Sequence, residues 1–319
     1  MGISLVTGGA GFIGSHIATG LAARGDTVRV FDNLSTGYRA NLDHLRDQVT
    51  LIEGDILDDD ALDVALQDVD VVFHQAALAS VPRSVELPMD THEACATGTL
   101  NVLMAARRCG VGRVVYAGSS SCYGDQPAAS KRETDLLAPL SPYAAAKLAG
   151  EMYCQAFAAS MGVETVTLRY FNVFGPRQDP DGAYAAVIPK FICTMLAGNR
   201  PTIFGTGQQS RDFTYIDDIV QANLLASEAA DVSGRVFNVA CGRQHNLLQL
   251  VEAINAVMGT ALEPVFAPAR AGDVLESLAD ITPARTHLAY EPNVSFEAGL
   301  KRTVDYFRKA AKQPAATAR

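Results

Sequence analysis

The segment TGGAGFIG, from Thr7 to Gly14, follows a short β-branched run and precedes a helical pattern. It reads G-x-x-G-x-x-G, with the three spaced glycines at Gly8, Gly11 and Gly14. Glycines at this spacing allow a tight turn, close approach of a pyrophosphate to the backbone, and close packing of helix on strand. The phosphates would meet the N-terminus of a helix, where free N–H groups attract anions. The segment therefore predicts the first strand–turn–helix unit of a dinucleotide-binding sheet.

Strand-like and helix-like segments alternate from the N-terminus to about Asn172. The predicted strands are Ser4–Thr7, Thr27–Phe31, Val49–Glu53, Val69–His74, Arg113–Ala117 and Glu164–Arg169. The helical patterns between them include Gly11–Ala23, Ala94–Cys109 and Pro142–Ser160. This alternation is typical of the α/β class with a doubly wound parallel sheet that helices cover on both faces.

The pattern becomes irregular after Asn172. Three further elements are predicted at Asp217–Ala230, Val236–Val239 and Leu247–Met258. We therefore predict a dinucleotide-binding domain over residues 1–172, to which the chain returns near 213–242. Residues 173–319 would mainly form a smaller C-terminal α/β substrate domain, with 312–319 (KQPAATAR) as a frayed tail.

Composition excludes several classes of protein. Apolar residues make up 48% of the 319 residues, which suits a packed core, and a net charge of −9 argues against nucleic acid or an anionic membrane as a partner. No apolar run is long enough to span a membrane, and the N-terminus does not resemble a signal peptide. The six cysteines lie at least 13 residues apart without a CxxC pair, as expected of reduced thiols in the cytoplasm. The six scattered histidines predict no metal site.

The second predicted strand ends in an acidic residue that bears on the choice of cofactor. Asp32 follows Gly14 by 18 residues. A carboxylate there can accept a hydrogen bond from a ribose 2′-hydroxyl and would repel a 2′-phosphate. Asn33, Leu34 and Ser35 follow, with no Arg directly after Asp32. The sequence therefore favours NAD over NADP.

Two other strand ends suit the same cofactor. The third strand ends in GDI (Gly54–Ile56), where an adenine edge would be read, and the fourth in HQAA (His74–Ala77), whose small residues let a cofactor pass close to the backbone. His74 has no acidic partner nearby in sequence, so we interpret it as structural.

A tyrosine and a lysine stand four residues apart in SPYAAAKLAGE (Ser141–Glu151). Ser141 suits a helix N-cap and Pro142 the first helical position, so Tyr143 and Lys147 would be neighbours on one helix face. Taken alone, this stretch fits a surface Tyr–Lys contact as well as a catalytic pair.

Together these motifs, in this order, resemble the extended short-chain dehydrogenase/reductase family and within it the UDP-hexose 4-epimerases. The resemblance extends to about residue 308 and includes further motifs at Ser119–Gly124 (SSSCYG), Leu168–Phe191, Gly205–Leu224 and Arg270–Asp280. It implies a Rossmann-type sheet with a smaller substrate domain, NAD as cofactor, a UDP-sugar as substrate, and a homodimer. The dimer would form through a two-fold four-helix bundle built from Ala94–Cys109 and Pro142–Ser160.

The resemblance also implies catalytic roles. Tyr143 would act as the base at the sugar 4′-hydroxyl, and Lys147 and the positive nicotinamide ring would favour its phenolate. Ser119 would hydrogen-bond the 4′-oxygen. Related dehydratases and decarboxylases place acids after that position, whereas this chain has Ser120 and Ser121. Epimerisation at C4 through a transient 4-keto sugar is therefore favoured over elimination or decarboxylation.

The remaining site predictions follow from the same resemblance. Cofactor contacts are expected from Gly8, Gly11, Phe12, Ile13, Gly14, Asp32, Asn33, Ser35, Gly37, Asp55, Ile56, Gln75, Ala76, Ala77, Ala79, Tyr143, Lys147 and Tyr170. Substrate contacts are expected from Arg83, Ser119, Ser120, Ser121, Tyr143, Asn172, Ala186, Val187, Ile188, Phe204, Arg211, Arg270, Asp273 and Ser277. Of these, Arg211 and Arg270 would clamp the diphosphate.

Two departures from the family pattern affect these expectations. Cys95 stands where the family usually has an Asn near the cofactor. Leu275 and Glu276 interrupt a GDVRHS-like run, after which comes Ser277. In the family that position gates the sugar pocket, so a small residue would admit a 2-acetamido group and a Tyr would restrict the enzyme to glucose and galactose.

The sequence leaves several functions open. UDP-glucose and UDP-N-acetylglucosamine are both expected substrates, and UDP-glucuronate is an alternative because Arg83 could meet a carboxylate. A nucleotide-sugar reductase or dehydrogenase with net redox turnover is a second alternative. A catalytically inactive dinucleotide-binding protein is a third.

Overall fold

A computed structural model describes residues 2–126, 130–181, 185–269 and 275–312. Its strands are β1 (Ile3–Thr7), β2 (Thr27–Asp32), β3 (Val49–Glu53), β4 (Val71–His74), β5 (Arg113–Ser119), β6 (Glu164–Tyr170), β7 (Val173–Phe174), β8 (Thr202–Phe204), β9 (Ser210–Arg211), β10 (Thr214–Tyr215), β11 (Arg235–Val239), β12 (His245–Asn246), β13 (Val265–Ala267) and β14 (Glu276–Ser277). Its α-helices are α1 (Phe12–Arg24), α2 (Asp59–Ala65), α3 (Val81–Glu86), α4 (Pro88–His92), α5 (Gly98–Arg108), α6 (Pro142–Ser160), α7 (Val187–Leu196), α8 (Ile216–Glu228), α9 (Leu247–Met258), α10 (Thr282–Leu288) and α11 (Phe296–Ala310).

Seven parallel strands form the central sheet, in the order β11-β6-β5-β4-β1-β2-β3. Their apolar side chains point to both faces, as Leu5 and Val6 of β1 and Val114 and Val115 of β5 illustrate, because helices cover both faces. The chain winds in one direction from β1 through β2 to β3 and in the other from β1 to β4, β5 and β6. The crevice at the carboxyl end of β1 is therefore a topological switch point, where ligands bind in such sheets.

Two hydrophobic cores lie on opposite faces of the sheet. One face packs against α2, α5 and α6 through residues such as Leu62, Leu103 and Phe157. The other packs against α1 and α8, and its core continues without a break into α7, α9 and α11. The C-terminal elements thus share a hydrophobic core with the sheet.

The segment predicted as one helix from Ala94 to Cys109 is more complex. A π-helical turn at Glu93–Thr97 joins α4 to α5, so the predicted helix is continuous but not regular. At this turn the Thr99 hydroxyl donates a hydrogen bond to the Cys95 carbonyl at 2.7 Å. This side-chain bond gives the carbonyl a donor other than the backbone N–H groups of the helix. Cys95 is fully buried at the bulge.

Within the described ranges, no helix is long and apolar enough to cross a membrane. The same residues contain no group of three or more His, Cys, Asp or Glu side chains that could hold a metal ion. His74 is fully buried, with its ring nitrogens 2.7 Å from the Thr7 hydroxyl and 3.0 Å from the Thr99 hydroxyl.

Candidate active site

The glycine loop joins β1 to α1 at the carboxyl edge of the sheet. Gly8 has a φ of +65°, and a Cβ on it would lie 2.6 Å from the backbone nitrogen of Ala76. A Cβ on Gly14 would lie 2.2 Å from the carbonyl oxygen of Gly8. Gly11 precedes α1 without a side-chain cap, which leaves the first helical N–H groups for another acceptor. The loop therefore offers the backbone cradle and the donors that a pyrophosphate requires.

Asp32 lies directly against this loop. Its Oδ2 accepts from the backbone N–H of Ala10 at 2.9 Å and its Oδ1 from that of Leu34 at 2.8 Å. Burial raises the pKa of the Asp32 carboxyl, and the two backbone donors lower it. The carboxyl thus joins the glycine loop to the end of β2, the place where the sequence predicts a ribose-binding acid.

Four other residues predicted to bind the cofactor lie beside Asp32. The Asn33 side-chain amide donates to Asp55 Oδ2 at 2.8 Å, and the backbone N–H of Ser35 donates to Asn33 Oδ1 at 3.0 Å. A Cβ on Gly37 would lie 2.9 Å from the backbone of the glycine loop. These contacts bring the residues together at one edge of the crevice, whereas Ile56 is buried in the core beneath.

A buried polar cluster lies at the end of β4. Gln75 Nε2 donates to the Tyr170 hydroxyl oxygen at 3.2 Å, and Asn223 Nδ2 donates to the same oxygen at 2.8 Å. Ala76 and Ala77 follow Gln75 and are partly exposed. Asn223 is fully buried on α8, so its hydrogen bond fixes the position of the Tyr170 hydroxyl.

Ser119 and Tyr143 meet across two elements. Ser119 ends β5, and Tyr143 lies in the first turn of α6, where an interaction with the Ser119 side chain lowers the pKa of its phenol. Ser141 caps this helix, with its Oγ accepting from the Ala144 N–H at 3.2 Å. Ser119 Oγ also lies 2.8 Å from Ser121 Oγ. A short hydroxyl cluster therefore lies at the carboxyl edge of the sheet.

Lys147 lies one turn further along α6 and is almost fully buried. Its ammonium nitrogen lies 4.2 Å from the centroid of the Tyr116 ring. The Tyr116 hydroxyl donates to the Lys147 carbonyl oxygen at 3.0 Å, and a Cβ on Gly150 would lie 2.4 Å from that hydroxyl. Tyr116 on β5 thus supports the turn of α6 that holds Lys147.

Burial governs the protonation of this pair in the protein alone. It raises the pKa of the Tyr143 phenol well above its usual value, and the Ser119 hydrogen bond opposes it. Burial also lowers the pKa of Lys147, against nearby Cys95, Cys154 and Glu151. The sequence predicts a phenolate favoured by Lys147 and the nicotinamide, whereas burial in the protein alone shifts the pKa of Tyr143 in the opposite direction.

The residues predicted for the substrate lie on the C-terminal side of the crevice. Ser277 of β14 pairs in register with Arg211 of β9. Asn172 has a φ of +27° and donates through Nδ2 to the Asp212 carbonyl at 3.4 Å, which places it beside β9. Ser120 and Ser121 continue from Ser119 in a short 3-10 turn that ends at Tyr123.

The remaining substrate predictions have different outcomes. Ala186 precedes α7 and Val187 begins it, while Ile188 is buried in the core; Phe204 ends β8. Arg83 lies on α3, after the loop that contains Ala79. Arg270 and Asp273 lie outside the described residues.

A family model described as the NAD dependent epimerase/dehydratase family matches residues 4–240. The chain belongs to this family. The UDP-glucose 4-epimerase of Mycolicibacterium smegmatis is 38% identical to it over 313 residues, which cover 97% of this chain and 99% of that relative. These matches confirm the predicted family and enzyme class.

Solved structures of the epimerase family show the same architecture. The UDP-N-acetylglucosamine 4-epimerase from Methanobrevibacter ruminantium, in complex with UDP-N-acetylmuramic acid, is 40% identical with a TM-score of 0.93, covering 97% of this chain and 99% of that chain. The UDP-glucose 4-epimerase from Thermotoga maritima with UDP-glucose is 41% identical with a TM-score of 0.92, covering 97% and 100%. The UDP-glucuronic acid 4-epimerase from Bacillus cereus, with UDP-glucuronic acid and NAD, is 33% identical with a TM-score of 0.90, covering 97% and 99%. The doubly wound fold and NAD as cofactor are thus confirmed.

Several side chains that support the epimerase-family site were not predicted from the sequence. Asn223 holds Tyr170, Tyr116 supports Lys147, and Glu151 forms a buried ion pair with Arg169. Asn223 and Arg169 stand among other polar residues of α8 and β6, so the sequence carries no signal that would have singled them out.

Proposed function

We propose that the protein is a UDP-hexose 4-epimerase in which Ser119, Tyr143 and Lys147 act on the sugar 4′-hydroxyl. The observation that carries the proposal is the interaction between the Ser119 and Tyr143 side chains, one helical turn from Lys147. This contact lies at the carboxyl edge of the same sheet as the glycine loop. A proton acceptor and a dinucleotide cradle therefore share one crevice, as an oxidation at a sugar carbon requires.

The glycine loop fits NAD, because a Cβ at Gly8 or Gly14 would fill the cradle that a pyrophosphate needs. When bound, NAD supplies a hydride acceptor and a positively charged ring. The chain's own residues manage the proton. Ser119 orients the 4′-hydroxyl, Tyr143 takes its proton as the carbon is oxidised and returns it when the ketone is reduced, and Lys147 stabilises the phenolate.

Inversion at C4 has a simple requirement in this scheme. The transient 4-keto sugar must turn so that its other face receives the hydride. No proton has to be removed from C5 and no carboxyl group has to be lost. Ser120 and Ser121, which occupy the positions after Ser119, have hydroxyls that cannot serve as general acids at neutral pH. Epimerisation is therefore the reaction that these side chains suit.

Ser277 supports an N-acetylhexosamine as one substrate. It pairs with Arg211, which we propose as part of the diphosphate clamp, so its small side chain lies near the path from the diphosphate to the sugar. A serine there leaves space that a larger side chain would fill. We infer that UDP-N-acetylglucosamine and UDP-N-acetylgalactosamine are interconverted, alongside UDP-glucose and UDP-galactose.

A panel of UDP-sugars, with products resolved by NMR, tests this proposal. We expect C4 epimers of the glucose and the N-acetylglucosamine series, with no net change in nicotinamide absorbance. Sustained NADH production with one UDP-sugar would indicate the reductase or dehydrogenase alternative. If protein loaded with NAD converted none of the UDP-sugars in the panel, the proposed activity would be refuted.

Ser277→Tyr tests the choice of sugar, with Glu276→Tyr as the matched control on the other face of the same strand. The Ser277 variant should lose turnover of UDP-N-acetylglucosamine and keep UDP-glucose turnover within about tenfold, since one steric clash can discriminate between sugars. The exposed Glu276 position should tolerate the ring. Equal losses with both sugars in the Ser277 variant would contradict the assignment of Ser277 to the sugar pocket.

UDP-glucuronate is a second candidate substrate, favoured by Arg83. Arg83 lies on α3, and a guanidinium is a cation that binds carboxylates through paired hydrogen bonds. If Arg83 binds the sugar carboxylate, Arg83→Gln should raise the KM for UDP-glucuronate and leave that for UDP-glucose unchanged. If the wild-type protein turned over UDP-glucose but not UDP-glucuronate, UDP-glucuronate would no longer be a candidate substrate.

A further inference from the structure

A fully buried ion pair joins α6, which contains Tyr143, to β6, which pairs with the strand that ends in Ser119. Glu151 lies on α6, one turn after Lys147, and Arg169 lies on β6; the side chains are each 2% exposed. Arg169 Nη2 donates to Glu151 Oε1 at 2.5 Å and its Nε donates to Oε2 at 2.9 Å. Two parallel bonds of this kind fix the helix relative to the strand in both distance and angle.

The same guanidinium also holds the turn that follows Ser119. Arg169 Nη1 donates to the Tyr123 hydroxyl oxygen at 2.7 Å, and the guanidinium lies 4.8 Å from the centroid of the Tyr123 ring. The Tyr123 hydroxyl in turn donates to Asn238 Oδ1 at 2.7 Å. The Arg169 guanidinium is thus paired with both a carboxylate and a hydroxyl, as a buried charge requires.

The sheet register makes room for this arrangement. Gly118 of β5, Arg169 of β6 and Asn238 of β11 stand in one row across the three strands. A Cβ on Gly118 would lie 3.3 Å from Arg169 Cγ and 2.9 Å from a methyl group of Thr167. The glycine thus leaves space for the arginine side chain next to the strand that ends in Ser119.

We propose that Glu151 and Arg169 are positioning residues that set the distance between the Ser119 and Tyr143 hydroxyls. Glu151 moves with α6, which presents Tyr143 and Lys147. Arg169, on β6, holds the turn that begins after Ser119 through its hydrogen bond to the Tyr123 hydroxyl. The bidentate ion pair between Glu151 and Arg169 therefore keeps the Tyr143 hydroxyl at a fixed distance from the Ser119 hydroxyl. The inference rests on the proposed roles of Ser119 and Tyr143.

Charge gives the pair a second effect on the site. The Glu151 carboxylate favours the ammonium form of Lys147, whose pKa burial lowers. Replacing Glu151 therefore affects both the geometry of α6 and the charge of Lys147. Tyr123→Phe affects geometry alone, because it removes one hydroxyl and no charge.

The test is a double-mutant cycle with Ser119→Ala, in protein that carries NAD and with the UDP-sugar that the panel shows to be turned over. Glu151→Gln should lower kcat by about 10- to 100-fold, since small misplacements of reacting groups are costly, with KM changed by less than about threefold. Tyr123→Phe should lower kcat by about threefold to tenfold, because it removes one shared hydrogen bond. In the Ser119→Ala background, Tyr123→Phe should cost less than about threefold further, and Glu151→Gln should keep only the part of its loss that acts through the charge of Lys147.

Glu164→Gln is the matched control. It breaks an ion pair between Arg113 and Glu164 that joins β5 and β6 at the opposite edge of the sheet. This pair is partly exposed, so kcat should stay within about twofold, alone or with Ser119→Ala. The control distinguishes the effect on kcat of losing any buried or partly buried ion pair at β5 and β6 from the effect of losing the Glu151–Arg169 pair.

The inference would be overturned if Glu151→Gln and Tyr123→Phe lowered kcat by the same factors in the Ser119→Ala background as in the wild-type protein. Wild-type kcat in both single variants would also overturn it. If Glu151→Gln does not fold, as judged by circular dichroism and NAD content, Tyr123→Phe decides by the same cycle. Failure of the proposed function is seen separately, because Ser119→Ala and Tyr143→Phe would then keep wild-type kcat.

Discussion

At the scale of single residues, the Tyr143 phenol has two requirements that oppose each other. It must lose its proton to act as a base, yet burial raises its pKa and the Ser119 hydrogen bond only partly compensates. Positive charge near a phenol favours its phenolate, so Lys147 and the positively charged cofactor would oppose the effect of burial on the pKa of Tyr143.

Replacing Tyr143 by Phe should remove this function and leave the fold intact. The ring that packs against Cys95 and Ala146 stays, while the ionisable oxygen is lost. We expect kcat to fall by about 10²- to 10⁴-fold, the usual contribution of a general base. Tyr153→Phe, an exposed tyrosine of the same helix, is the control and should turn over at the wild-type rate. Wild-type kcat in Tyr143→Phe, with normal circular dichroism and NAD content, would remove Tyr143 from the mechanism.

The residue scale also shows where sequence-based prediction stops. Ser119, Tyr143 and Lys147 are predictable because a short motif determines their spacing on one strand end and one helix. Glu151 and Arg169 are not, because their pairing depends on the register of β5, β6 and β11 and on the space that Gly118 leaves. The effect of burial on the pKa of Tyr143 could not be predicted either, since the degree of burial is set by residues distant in sequence.

At the scale of elements, helices with clear caps were predicted best. Residues 142–160 and 247–258 are helical as predicted, where Ser141 and Asn246 cap the first turns. The strand ends differ from the prediction by at most two residues, since side-chain alternation does not mark where a ladder stops. The π-helical turn before α5 was not predicted, because side-chain periodicity over five residues does not distinguish it from an α-helical turn.

Asp212 links two elements of the C-terminal part and makes a prediction about pH. Its buried carboxylate accepts from the backbone N–H groups of Cys241 at 2.9 Å and Gly242 at 3.0 Å, after β11. Burial outweighs these donors and raises the pKa of Asp212 to about 7, from an ordinary value of 3.8. The folded protein therefore binds this proton more tightly than the unfolded chain. The stability that this gives is complete below pH 4 or so and is lost as the pH rises through about 7.

Asp212→Asn should remove this part of the pH dependence, because an amide does not titrate. Urea unfolding at pH 5 and pH 8 measures it. Relative to the variant, the wild-type protein should lose on the order of 2 kcal/mol of unfolding free energy between these values. Parallel changes in the two proteins would show that the Asp212 carboxyl does not titrate in this range.

At the scale of the whole molecule, the shared core matters most. One hydrophobic cluster runs from β1 through α8 into α9 and α11, so the part that contains Asp32 and the part that contains Arg211 are packed together. Chain order alone predicted that β11 returns to the sheet region. It did not predict a continuous core, because which apolar faces meet is decided by packing between distant segments.

An exposed apolar surface on the helices beside the active site leads to a prediction about assembly. Met152 and Tyr153 of α6 are 43% and 39% exposed, and Met89 of α4 is 64% exposed. We expect these faces to pack against a second copy in a two-fold four-helix bundle, so that sedimentation at micromolar concentration gives a homodimer. Met152→Lys with Tyr153→Lys should shift it towards monomer, whereas Val64→Lys, on the exposed side of α2, should not. A wild-type monomer under these conditions would contradict this expectation.

The measurement that tests the central claim most directly uses a UDP-hexose carrying deuterium at C4, in ordinary water, with the products followed by NMR. A 4-epimerase without net redox turnover returns the same hydrogen to the same carbon on the other face. The account predicts the C4 epimer with deuterium retained at C4 and no accumulation of NADH. Loss of deuterium from C4, its appearance in free cofactor, or a product changed anywhere other than C4 would contradict it.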